Sequence, residues 1–199
     1  IIIKGKIFYF DTKYSTNNYV NNILACISAM YVLNLNLNKM KKIFIGFHIP
    51  EGRGDFKRVM KFNKKFNFID ESYNANPLSM ISAISNMNFY KRKKNQRKFI
   101  FLGDMLELGK KSRKFHKSLS KVINGSDIDK VFVYGKYIKE TFDALYANKK
   151  GKVFNNLREA YDHFSEILRN NDLLMIKGSN ATGLNQFSKI IKKGQTNVI

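Results

Sequence analysis

The chain has no tryptophan, two prolines and one cysteine, and its acidic residues are few: Asp+Glu number 15 against Lys+Arg 36. One thiol excludes an intrachain disulfide and the paired cysteines of a zinc ribbon, and it fits a reducing compartment. Cys26 stands in an apolar segment and is expected in the core. Two prolines leave little for linkers, so Pro50 and Pro77 each mark a place where the chain turns or a helix opens. The longest helix-like apolar stretch, Ile23 to Leu33, is well short of the ~20 residues that span a bilayer, so membrane insertion is not expected. No small-residue cleavage pattern follows Ile1-Ile2-Ile3, which reads as a strand rather than a leader. A chain starting with Ile suits a piece of a longer protein.

Several motifs are missing too. No GxxxxGK[ST] phosphate loop, GxGxxG turn or GxSxG elbow occurs, and His48, His116 and His163 are too scattered to build a metal centre with one Cys. What is present is charge and apolar content: a net charge of +21 and 44% hydrophobic residues over 199. That is enough for a packed core, with a surface attractive to nucleic acid, anionic lipid or a phosphorylated substrate. The richness in Lys, Asn, Ile and Phe also fits a codon bias toward A and T, which would make part of the basicity drift. The run KRKKNQRK (Lys91–Lys98) resembles a nucleic-acid patch by charge, but no interleaved aromatic is there to stack on bases, and a solvated loop is the better reading.

Periodicity gives the architecture. Ile1–Phe10 alternates around Gly5 as a short hairpin, and Val20, Ile23, Leu24, Ile27, Met30 and Tyr31 recur at helical spacing within Asn17–Leu35. Val59–Ile69 reads as two short strands. After Pro77 a helix carries Met80, Ile81, Ile84 and Met87, with Asn76 as its N-cap. Three continuous apolar runs then each end in glycine: Phe99–Gly103, Val131–Gly135 and Leu173–Gly178. Helical patterns follow at Ser112–Ile123, Tyr137–Leu145, Leu157–Leu168 and Leu184–Ile191. Buried strands alternating with amphipathic helices predict an α/β fold with a Rossmann-like, mostly parallel sheet covered on both faces. Ligands bind such a sheet beyond its carboxyl ends, where Asp104, Lys136, Lys177 and Ser179 supply charge or hydrogen bonds.

The stretch Asp70-Glu71-Ser72-Tyr73-Asn74-Ala75-Asn76-Pro77 looks like a joint. It places two carboxyls at a strand end, ahead of a helix, and these either orient a ribose or metal-bound phosphate or simply cap the turn. Arg53, in the Gly-flanked turn after Pro50, either clamps a phosphate or is a solvated loop arginine.

DESYNANPLSM (Asp70–Met80), then FLGDMLELG (Phe101–Gly109) and His116, resemble the Mur ligases. Asn22-Ile23-Leu24-Ala25, Gly52-Arg53 and Lys177-Gly178-Ser179 extend the similarity over nearly the whole chain. The resemblance implies residues 1–69 as the C-terminal portion of a central ATPase domain and 70–199 as a Rossmann-like C-terminal domain, with the joint as the hinge between them. It implies a cytoplasmic, monomeric ligase of peptidoglycan precursor synthesis that uses ATP and Mg2+, supplied mainly by residues outside this chain. The acid is the carboxylate of UDP-N-acetylmuramoyl-tripeptide, activated as an acyl phosphate, and D-alanyl-D-alanine attacks it; no specific nucleic acid is implied. Carried over by position, Asn22, Arg53 and Glu71 would contact ATP, Tyr73, Asn74 and Asn76 would line the interdomain cleft, and Asp104, Glu107, Lys177 and Ser179 would shape the dipeptide side. Thr16 and Asn18 depart from the family's Gly and His, and Glu71 from a common Asp. Because the phosphate loop is absent, these 199 residues alone are not expected to turn over. A non-catalytic dipeptide- or partner-binding remnant is the alternative reading, with a basic nucleic-acid-binding protein behind it.

Overall fold

The computed structural model describes residues 1–13, 17–193 and 195–197. It divides into two compact units, Ile1–His48 and Ile49–Ile199. Thr16 and the Asn18 side chain lie outside the described residues.

In the first unit, β1 (Ile2–Ile3) and β2 (Lys6–Ile7) pair antiparallel as a hairpin, and α1 (Asn17–Val32) follows. Tyr19, Ile23 and Ile27, one turn apart, are buried with Leu37 and Phe44. Cys26 lies off that stripe and is exposed, contrary to its expected place in the core. Val20, Leu24, Tyr31, Val32 and Leu33 are exposed as well.

The second unit is built on a seven-stranded sheet. Its strands are β3 (Asp55–Lys61), β4 (Lys64–Glu71), β5 (Lys98–Gly103), β6 (Lys130–Tyr134), β7 (Lys150–Phe154), β8 (Leu173–Lys177) and β9 (Gln195–Asn197). The order is β7-β6-β5-β8-β4-β3-β9, with β7 through β4 parallel and β3 antiparallel to both its neighbours. Between strands run α2 (Pro77–Phe89), α3 (Ser112–Asn124), α4 (Lys139–Asp143) and α5 (Leu157–Ile167), and α6 (Leu184–Lys192) follows β8.

Alternation along each strand feeds two cores. Ile69, Ile100, Leu102, Val131, Val133, Leu173 and Met175 face α2, α3 and α4. The intervening Phe66, Phe68, Phe99, Phe101, Phe132, Leu174 and Ile176 face α5 and α6, where Phe164 and Phe187 join an aromatic cluster. Each fully buried phenylalanine is worth about 2–3 kcal/mol of transfer free energy. With both faces covered, the inner strands read as unbroken apolar runs, which is why they were legible in sequence.

Asn67–Glu71 pair residue by residue with Leu173–Lys177, so β3 and β4 lie in the sheet of the second unit. The compact units meet in sequence at His48–Ile49, and the 70–77 stretch joins β4 to α2. The helix expected over Tyr137–Leu145 is shorter, since only Lys139–Asp143 is α-helical.

Candidate functional site

The register that places Glu71 opposite Lys177 brings their side chains together at the carboxyl edge of the sheet, Nζ to carboxylate 3.4 Å. Lys177 is 2% exposed and also donates to the Asn74 carbonyl at 3.0 Å. Burial holds the Glu71 carboxyl above its ordinary pKa and the Lys177 ammonium below its own, with the partner's charge opposing each shift. Desolvation thus outweighs the attraction in both groups. The pair ties the loop after β4 to the end of β8.

Asp70, one residue earlier, points to the opposite face. Burial raises its pKa, but Lys192 of α6 at 2.7 Å and the Ser72 hydroxyl at 2.6 Å outweigh that and leave it lowered. The Lys192 ammonium is correspondingly raised, the Asp70 contact overcoming its burial. The two adjacent carboxyls therefore serve separate networks. A cavity of about 400 Å³ opens beside this second one, lined by Glu51, Tyr73, Asn180, Asn185, Lys189 and Lys192 among others.

Arg53 is exposed, with its guanidinium 4.4 Å above the Tyr73 ring, and its charge opposes the rise that burial imposes on the Glu71 pKa. The turn carrying it is fastened to the loop by hydrogen bonds from Tyr73 N–H to Gly52 O at 3.1 Å and from Gly54 N–H to Asp70 O at 2.8 Å. Gly52 has φ +76, and a Cβ there would lie 2.9 Å from the Tyr73 nitrogen, so a side chain would push the two segments apart. Arg53, Glu71, Tyr73, Asn74 and Lys177 thus form one constellation.

The other expected residues divide. Asn76 caps α2: its side chain accepts from Ser79 N–H at 2.9 Å, and Ser79 Oγ accepts from Asn76 N–H at 3.0 Å. Asp104 is buried and accepts the N–H groups of Lys136, Tyr137 and Ile138 at 3.0, 2.9 and 2.7 Å. Ser179 donates its N–H to Asp104 O, accepts Leu106 N–H at 3.0 Å and reaches Ala75 O at 3.4 Å, so it links the β5, β8 and β4 ends. Glu107, at φ +64, is exposed and stands apart from the constellation. Asn22 is exposed on α1 in the first unit.

His116, fully buried, holds the loop after β5 from below. Its Nε2 accepts Met105 N–H at 2.9 Å while Nδ1–H donates to Ser112 O at 2.7 Å, and burial lowers its pKa. The neutral imidazole is a strut rather than an acid or base. Beyond it, a second cavity of about 550 Å³ opens at the ends of β5, β6 and β7, with Lys136, Lys139, Tyr134, Asn155 and Thr182 on its wall. Lys136 stood out in sequence as a cation after a strand-ending glycine. Lys139, Asn155 and Thr182 had no such flag, because only the parallel register brings three separate loops to one rim.

Among the described residues no group of three or more His, Cys, Asp or Glu side chains could hold a metal ion, and no helix is long and apolar enough to cross a membrane. The described residues do not build a magnesium cradle. The exposed Arg53 guanidinium on a tied-down turn does suit a nucleotide phosphate.

Residues 56–180 match the family model described as Mur ligase, glutamate ligase domain. Among curated relatives, UDP-N-acetylmuramoyl-tripeptide--D-alanyl-D-alanine ligase of Rickettsia prowazekii is 26% identical over 92% of this chain and 39% of its own length. The protein of the same name from Bacillus subtilis is 32% identical over 85% of this chain and 37% of its own. A crystal structure of MurF from Acinetobacter baumannii superposes with a TM-score of 0.73 at 21% identity, covering 92% of this chain and 39% of that one. MurF ligase from Thermotoga maritima in complex with ADP gives 0.70 at 20% identity, covering 90% and 39%. The chain therefore spans about two fifths of the length of these relatives.

Proposed function

The chain belongs to the Mur ligase family, and from that premise we propose that it is part of an ATP-dependent ligase joining D-alanyl-D-alanine to UDP-N-acetylmuramoyl-tripeptide in peptidoglycan precursor synthesis. The observation that carries the reading is the constellation at the carboxyl edge of β4 and β8, built from the DESYNANP and KGS motifs, over which the exposed Arg53 is stacked on Tyr73. In this reading ATP supplies the phosphoryl group that activates the tripeptide carboxylate. Arg53 binds nucleotide phosphate with Tyr73 as its platform, and the buried Glu71–Lys177 pair fixes the loop that carries Tyr73 and Asn74. Asn22 is assigned to ATP by its sequence motif alone. Asp104, Lys177 and Ser179 act on the dipeptide side by shaping backbone rather than by touching substrate. No step is assigned to Mg2+ through residues of this chain. ATP and a nucleotide-linked precursor are reagents of the cytoplasm, the proposed compartment, and the proposed active form is a monomer.

The test is phosphate release by the complete polypeptide in which these 199 residues occur, rather than by the 199 residues alone, given ATP, UDP-N-acetylmuramoyl-tripeptide and D-alanyl-D-alanine. Release that requires the dipeptide, and that falls at least about tenfold in Arg53→Ala through loss of a charge-assisted contact, is the expected result. Release without dipeptide dependence, or none at all, overturns the ligase reading. Dipeptide binding without release would leave the binding-remnant alternative.

A further inference from the structure

The two helical layers of the second unit are charged in opposite senses. On one face of the sheet α2 and α3 carry no acidic residue, while α3 carries Arg113, Lys114, Lys117 and Lys121. On the other face α5 sets Glu159, Asp162 and Glu166 against Arg158. A compositional drift toward lysine would load both layers alike, so it does not account for the asymmetry. Lys114, Lys117 and Lys121 fall at i, i+3 and i+7 and form one stripe down the exposed side of α3.

That stripe runs toward the amino edge of the sheet, where two large aromatics are exposed. Phe89 ends α2 and is 71% exposed, and Tyr146, in the loop after α4, is 63% exposed. Both belong to segments tied to the end of α3. Asp127 N–H donates to the Asn88 side chain at 3.2 Å, and Tyr146 N–H donates to the Asn124 side chain at 3.0 Å. The loop after α2 adds Lys91, Lys93 and Lys94, all exposed. Buried Gln96 fastens it, its side chain accepting Lys93 N–H at 3.2 Å and donating to Asn171 O at 2.8 Å. The carboxylates of this side are mostly engaged: Asp127 with Lys98, Asp129 with Arg92, and Glu140 with Arg113. Asp143 is the one other acidic residue of α2, α3 and α4.

We propose that the amino-edge end of this helical layer is a docking surface for an anionic lipid bilayer. Lys91, Lys93, Lys94, Lys117 and Lys121 meet the headgroup phosphates, and Phe89 and Tyr146 enter the interface between headgroups and acyl chains. Exposed rings among lysines are the composition of an interfacial contact. Arg92 and Arg97, whose planar forks would suit bases or a single defined phosphate, are spent on Asp129 and Asp172. The lysines left over are point charges, which serve a laterally diffuse anionic surface. The 400 and 550 Å³ cavities lie at the opposite, carboxyl edge, so these cations do not follow either of them as they would a groove that tracks a nucleic-acid strand. Contact through the amino edge leaves Arg53 and the Glu71–Lys177 pair directed away from the bilayer.

Cosedimentation of the complete polypeptide with phosphatidylcholine vesicles, with or without phosphatidylglycerol, tests the surface. Because the 199 residues carry a net charge of +21, Lys117→Gln/Lys121→Gln is compared with Lys189→Gln/Lys193→Gln, the same charge change at exposed positions on the α6 side of the sheet. The expected result is binding to the anionic vesicles alone, weakened at least about tenfold in the α3 variant and less than about twofold in the α6 variant. Phe89→Ser/Tyr146→Ser, which keeps the charge, should weaken it about threefold or more. Phe89→Trp should add fluorescence quenching by brominated acyl chains over that of the unsubstituted protein. Equal binding to neutral vesicles, no binding, equal weakening in the two lysine variants, an unaffected aromatic variant or no added quenching overturns the proposal. A single-stranded oligonucleotide that displaces the vesicles at equal phosphate concentration also overturns it and assigns the surface to nucleic acid. Phosphate release is a separate readout, so this proposal and the ligase reading can each fail alone.

Discussion

The two ends of the central sheet carry similar cations and use them in opposite ways. At the amino edge, half of the cations in the run that looks most like a nucleic-acid patch are consumed by the fold. Arg92 binds Asp129 and the Gln96 carbonyl, Arg97 takes Asp172 through two hydrogen bonds, and Lys98, fully buried, donates to Met87 O and Asp127. At the carboxyl edge, Arg53, Lys136 and Lys139 stand on backbone fixed by other residues and face outward. Charge density in sequence thus points to the wrong end for the proposed reaction. A cation is available for a ligand when its loop is held by something other than its own side chain.

Removing partners at the amino edge sharpens the contrast most. Lys98→Met should cost about 2–3 kcal/mol in denaturant unfolding, since it strands the Met87 carbonyl and takes the ammonium partner away from Asp127. It should leave dipeptide affinity unchanged. If it were neutral, the structural reading of the basic run would fall.

Asp104→Ala comes next, at about 2 kcal/mol, because three N–H groups lose their acceptor in one step. Here affinity should fall together with stability, and Asp104→Asn should recover only part of either, as an amide oxygen replaces one of two carboxylate oxygens. A variant that bound dipeptide normally would show that the loop keeps its shape without this support.

His116 gives a smaller, pH-dependent effect. Burial lowers its pKa below the ordinary 6.5, so the unfolded chain takes up the proton first as pH falls. Stability from this group is complete well above pH 6.5 and declines as pH drops through 6.5 toward the lower folded value. Unfolding curves at a series of pH values should show that decline in the native chain and lose it in His116→Gln; an unchanged profile in the variant would assign the decline elsewhere.

The smallest expected stability effect belongs to Lys136→Gln/Lys139→Gln, within about 0.5 kcal/mol, since both side chains are exposed and neither has an acidic partner among the described residues. A cost well above that would put these lysines in the same structural class as Lys98.

Much of the fold was legible because inner parallel strands and capped helices are local signals. Phe99–Gly103, Val131–Tyr134 and Leu173–Lys177 announced themselves as apolar runs, and Asn76-Pro77 as a cap. The strand Lys150–Phe154 did not: it is an edge strand with Lys150, Gly151 and Lys152 partly or wholly exposed, so it has no continuous apolar run. The exposed Cys26 was misread because a run of apolar residues on a helix does not say which stripe is buried.

For the site, the local chemistry of DESYNANP was plain, but the separation of Asp70 from Glu71 into opposite networks followed from strand alternation combined with the placement of α6 and β8. By itself the sequence determined the α/β class, the helix caps and the motifs that carry the family likeness, since each depends on neighbours within a few residues. Only the tertiary structure decided which charges are spent and which are free. An ion pair such as Glu71–Lys177 joins residues a hundred positions apart, and its existence depends on sheet register and burial, which no short stretch of chain encodes.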